Sequence, residues 1–141
     1  MNLTTEIFVL CDHASISQDQ KLSIIGIFDQ FFLANIPTTW PRMFLVAVVN
    51  GDANKELPIT LRITPPKKTE KNLPDKEIQI KLGPNGKANL ITELVNFPLP
   101  TPGNYKVEIL SGKEQVGELN FAVNKTTATY NGDQLGKKVV N

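Results

Sequence analysis

Two β-rich runs joined by a short polar connection open the chain, and they constrain its fold more than anything downstream. In residues 7–32, IFVLCDHASISQDQKLSIIGIFDQFF, side chains of an extended strand alternate between its two faces. Ile7, Val9, Cys11 and His13 therefore share one face of the first run, and Phe8, Leu10, Asp12 and Ala14 the other. In the second run Leu22, Ile24, Gly26 and Phe28 oppose Ser23, Ile25, Ile27 and Asp29. Neither run has a convincingly wet face. The connection at residues 15–20 is too short for a parallel crossover, so the two runs are expected to form an antiparallel hairpin.

Downstream the pattern divides. Residues 33–42, with Pro37 and Pro41, read as a loop, because proline lacks a donor and fixes φ. Residues 43–49, MFLVAVV, are apolar without alternation, as expected of a strand buried on both sides. The strands expected at 57–63, 77–82, 105–110 and 118–123 each alternate cleanly between apolar and polar residues, and a longer, less regular one covers 87–97. Asn50 to Lys55, Gly83 to Gly86 and Ser111 to Glu114 are turns by residue type, and the proline- and lysine-rich stretch 65–75 is a surface loop. Helical apolar spacing is absent. The expectation is an all-β chain of about seven to nine strands, an antiparallel β-sandwich ahead of a barrel, over residues 1–124. Residues 125–141, polar and poor in apolar side chains, are expected to be a disordered tail.

Composition narrows the function classes. Fifteen basic and 14 acidic residues leave a formal charge of +1, which argues against a nucleic-acid or anionic-membrane partner. The single cysteine, Cys11, permits no internal disulfide. The N-terminus lacks the basic region of a secretory signal, and no apolar run reaches the roughly 18 residues of a membrane span. A soluble cytoplasmic protein is expected.

Residues 8–30, FVLCDHASISQDQKLSIIGIFDQ, resemble the opening signature of a family of small, uncharacterised bacterial β-sandwich proteins, a domain of unknown function. That signature runs from a hydrophobic stretch through Cys-Asp, a small residue and a short turn to Gly-Lys-Leu and Gly-x-Phe-Asp. PTTWPRMFLVAVV is similar to the family's next segment, and GNYKVEILSGKEQVGELNFAV resembles its closing hairpin. The resemblance implies an immunoglobulin-like sandwich and no assigned activity. One departure is Asp19-Gln20, where Asp-Gly is expected at the turn. Glycine readily supplies the positive φ such turns require, and glutamine does not.

Few residues could carry chemistry. Cys11, Asp12 and His13 are adjacent, but in a strand Cys11 and His13 sit about 6.5–7 Å apart, too far for a thiol–imidazole dyad. No second Cys or His exists to build a zinc site, and no cofactor or metal is implied. Asp12 and Asp29 lie near strand ends, where aspartate more often caps backbone amides than performs acid–base work. The alternative function is therefore a small ligand-binding protein or hydrolase using Asp12, His13 and Asp29.

The leading reading is non-catalytic. A sheet apolar on both faces needs a second cover: the 33–42 loop with Trp40, the tail, or another copy of the chain. The partner is expected to be protein, most simply the chain itself as a homo-oligomer. The candidate interface is the outer face of the N-terminal sheet, with Phe8, Leu10, Ile25, Ile27, Phe44, Val46 and Val48. Strand register decides which face is outer, and the sequence leaves it open.

Overall fold

The opening runs form β1 (Thr4–Ile16) and β2 (Leu22–Phe28), antiparallel, with Cys11 opposite Ile27 and His13 opposite Ile25. The structure, a computed structural model, describes residues 3–67 and 73–127. At the hairpin turn Gln20 N donates to Ser17 O at 3.0 Å, Ser17 N donates to Lys21 O at 2.9 Å, and Gln20 sits at φ 69°. Glutamine thus occupies the left-handed position for which glycine is the usual choice, and the hairpin forms in spite of it.

Seven further strands follow: β3 (Gln30–Leu33), β4 (Thr38–Asn50), β5 (Glu56–Thr64), β6 (Lys76–Lys81), β7 (Lys87–Leu99), β8 (Gly103–Ser111) and β9 (Glu114–Lys125). One sheet has the order β2-β1-β4-β7 and the other β3-β9-β8-β5-β6. All pairings are antiparallel except β3 with β9. The chain is an immunoglobulin-like sandwich. Its β5-β8-β9 neighbours reproduce the C-F-G order of that fold, and Tyr105, near the start of β8, makes the corner expected there. The Tyr105 hydroxyl donates to Thr101 O at 2.6 Å and accepts from Thr101 N at 3.2 Å. β9 runs to Lys125, one residue into the stretch assigned to a tail, and residues 128–141 of that stretch lie outside the described residues.

The core fills the space between the sheets, with Leu10, Met43, Leu45 and Val49 from one side meeting Ile59, Tyr105, Ile109 and Phe121 from the other. Residues 43–49 are buried without interruption, as their unalternating pattern requires. The loop expected at 33–42 is shorter than its prolines suggest, because β4 begins at Thr38. Pro41 lies beyond Phe44, where pairing of β4 with β1 ends, so β4 has one open edge at this point.

Register corrects the proposed outer face. Val9 pairs with Val46, and Cys11 with both Phe44 and Ile27. Phe44, Val46, Val48 and Ile27 therefore share the face of the odd-numbered residues of β1, while Phe8 and Leu10 point between the sheets into the core. Phe44, Val46 and Val48 do lie on the outer face, yet they are buried within the single chain. The cover of Phe44 and Val46 is the hairpin itself. Ala14, Leu22 and Ile24, from its far end, cluster with Cys11, Phe44, Val46 and Ile91. Ile16 and Gln20, at its tip, border a cleft with Lys87 and Asn89 of β7 and Gln79 of β6. The hairpin thus leaves the sheet beyond Cys11 and crosses β4 and β7. Gly26, at φ 72°, marks the departure: a Cβ there would lie 2.4 Å from Oδ2 of Asp12, the residue facing it.

Candidate functional site: an aromatic cleft at the strand switch

Between Phe28 and Gln30 the chain passes from one sheet to the other, and Asp29 O accepts from Ala122 N at 2.9 Å to anchor the crossing. Alternation in β3 then turns Phe31 into the core and leaves Phe32 64% exposed. Phe31 meets the Phe28 ring at 5.2 Å and 77°, and the Trp40 ring at 4.8 Å and 64°. Edge-to-face contacts of this kind hold aromatic rings in fixed relative orientations. Together with Phe32 and Ile27 these rings line a cleft of about 320 Å³, whose polar rim is Asp12 and Gln30. Asp12 reaches the cleft because Gly26 opposite it has no side chain to occupy the same space.

The residues singled out from the sequence as possible chemistry do not converge. Asp12 borders this cleft, whereas Asp29 borders another of about 340 Å³ with Phe8, Leu119 and Asn120. His13 borders neither, and its exposed ring stands edge-on to Phe44 at 5.2 Å and 80°. Cys11 is buried, and its Sγ donates to the backbone O of His13 at 3.4 Å rather than to the imidazole. Burial pushes the thiol pKa up, which disfavours the thiolate that nucleophilic work requires. Among the described residues no group of three His, Cys, Asp or Glu is placed to hold a metal ion.

Of the seven candidate interface residues, Ile25 and Ile27 are the exposed ones, at 59% and 63%. The sequence reading missed Phe31 and Phe32 as site residues and treated Trp40 only as cover. The available signal was aromatic density, since 31–32 and Trp40 flank one short connection. No described helix is long and apolar enough to cross a membrane.

The model of a family of unknown function matches residues 6–124. No curated protein matches the chain. Among solved structures, 86% of the chain superimposes on 30% of a Pseudomonas fluorescens alkylpurine DNA glycosylase, AlkC, bound to DNA containing an abasic site analog, at TM-score 0.54 and 14% identity. A Bifidobacterium adolescentis GH3 beta-glucosidase is matched over 99% of this chain and 21% of its own, at TM-score 0.51 and 12% identity. An immunoglobulin-like protein from Pseudomonas aeruginosa is matched over 88% of this chain and 98% of its own, at TM-score 0.48 and 15% identity. The chain thus spans under a third of the glycosylase and of the glucosidase, and at these identities the likeness to them is one of fold.

Proposed function

The chain belongs to DUF6941, a family of unknown function, and from that premise we propose that it is a non-catalytic module working through protein contacts, with a second copy of itself as the partner. One observation carries this reading. At the β2–β3 side of the sandwich both sheets end in an open strand, with Ile27 and Phe32 more than half exposed there and Ile25 similarly exposed further along β2.

Open strands present unpaired backbone groups, and proteins usually guard them with charge or proline. The opposite edges are guarded in this way: β6 carries Lys76, Glu77 and Lys81, and β7 carries Pro98. β2, LSIIGIF, has neither charge nor proline. An unguarded apolar edge of this kind favours strand addition or side-by-side packing of another chain. A net charge of +1 sets no long-range repulsion against a second copy.

The hydrolase alternative has no comparable support, because Asp12 and Asp29 border different clefts and His13 borders neither of them. Sedimentation across a concentration range tests the proposal. The wild-type chain is expected to associate, and Ile25→Asp with Ile27→Asp to sediment as a monomer with an unchanged far-UV circular dichroism spectrum. A wild-type chain that remains monomeric at the highest concentrations would refute self-association.

A further inference from the structure

The cleft at the strand switch, which shares Ile27 and Phe32 with the surface proposed above, carries a second conclusion. We propose that it is a binding site for an organic ammonium group of the methylated type. Two features of the cleft point to that chemistry together.

The first is its wall. Phe28, Phe32 and Trp40 line one concavity, and Phe31, 3% exposed, packs edge-to-face against Phe28 and Trp40 from the core and holds them in place. The face of an aromatic ring is its negative pole, and a cation within about 6 Å of it is attracted, most strongly by tryptophan.

The second is the charge at the rim. Asp12 lines the cleft and is solvent-exposed, and none of the ion pairs among the described residues includes it. The cations nearest in sequence are committed elsewhere: Lys21 pairs with Asp19, and Arg42 pairs with Glu93 while its guanidinium lies 5.1 Å from the Phe44 ring centroid. The cleft therefore combines an apolar aromatic wall with a carboxylate that pairs with no cation among the described residues. A neutral apolar ligand would leave the carboxylate unused, and an anion would be repelled by it. A small, strongly hydrated ion would find no shell of oxygens to replace its water. A methylated ammonium group carries diffuse positive charge on an apolar surface and satisfies both parts. The volume of about 320 Å³ lies at the small end of ligand pockets, suited to a headgroup.

Trp40 is the only tryptophan in the chain and lines the cleft, so its emission reports occupancy directly. The experiment titrates the full chain with tetramethylammonium, choline and N-acetyl-trimethyllysine methylamide, and with 3,3-dimethylbutan-1-ol as the uncharged isostere of choline. Saturable quenching or a spectral shift is expected with the cations, at least about tenfold weaker with the alcohol. Tighter binding of choline identifies a free metabolite as the source of the group, and tighter binding of the lysine derivative identifies a protein side chain. Asp12→Asn, which keeps the shape and removes the charge, is expected to weaken binding about tenfold. Phe32→Ala, at an exposed position, is expected to weaken it without altering the fold. Equal binding of the alcohol, an unchanged affinity in Asp12→Asn, or no saturable response to any cation overturns the proposal.

Discussion

Truncating Val46 to alanine tests whether the β1–β2 hairpin, rather than a second copy, covers the outer face. Val46 is 0% exposed although it points away from the intersheet core, toward Ala14, Leu22 and Ile24. Removing its two methyl groups forfeits about 0.8 kcal/mol each in transfer free energy, and the cavity left behind adds up to a comparable amount, so about 2–3 kcal/mol is expected. The same truncation at Ile27, 63% exposed, is expected to cost less than about 1 kcal/mol. Urea unfolding at two protein concentrations a hundredfold apart provides the assay. If the cover is intramolecular, the Val46→Ala loss is the same at both concentrations. The double variant with Ile24→Ala should be non-additive by about 0.5 kcal/mol or more, because the two side chains belong to one cluster. A loss below about 1 kcal/mol, a loss that depends on concentration, or strict additivity with Ile24→Ala would refute the hairpin-cover argument.

Three other outcomes follow from single residues. Gln20→Gly should raise the urea midpoint, since release from a left-handed conformation costing about 1–2 kcal/mol outweighs the greater freedom of glycine in the unfolded chain, for a net gain of about 0.5–1 kcal/mol. Tyr105→Phe keeps the stacked ring against Phe121, 4.9 Å between centroids, and removes a hydroxyl that serves both Thr101 backbone groups; calorimetry should show about 1–3 kcal/mol of lost stability. Cys11, its thiol pKa raised by burial, ionises earlier in the unfolded chain than in the folded one. Its contribution is therefore complete below the unfolded thiol's pKa, about 8.5, and is lost as pH rises through the folded value. Cys11→Val should flatten stability between pH 8 and 10 relative to wild type, and the native thiol should resist thiol reagents that react in denaturant.

Much of the strand content was legible because alternation is local. Leu57, Ile59 and Leu61 are buried while Pro58 and Arg62 are exposed, as period two demands. Residues 43–49 are dry on both sides, as an unalternating apolar run implies. The turn at Gln20 lies where the polar connection placed it. The candidate site was far less legible. Asp12, Phe32 and Trp40 come together only through the bend at Gly26, the crossing at Asp29 and the pairing of β4. None of these events leaves a periodic trace.

The sequence by itself determined that the chain is all-β, with a two-layered sandwich favoured over a barrel, and that its N-terminal runs need cover on both faces, because period and polarity are properties of each strand alone. Which faces those are was decided by tertiary structure. Leu10 and Val46 carry equal apolar character, yet pairing Val9 with Val46 puts Val46 outside the sandwich and Leu10 within it. A shift of one residue would exchange them, since each step along a strand reverses the side chain's direction. The cover was likewise beyond any local pattern. It comes from the continuation of β1 and β2, folded across the sheet they begin in, and that contact exists only once the sheet does.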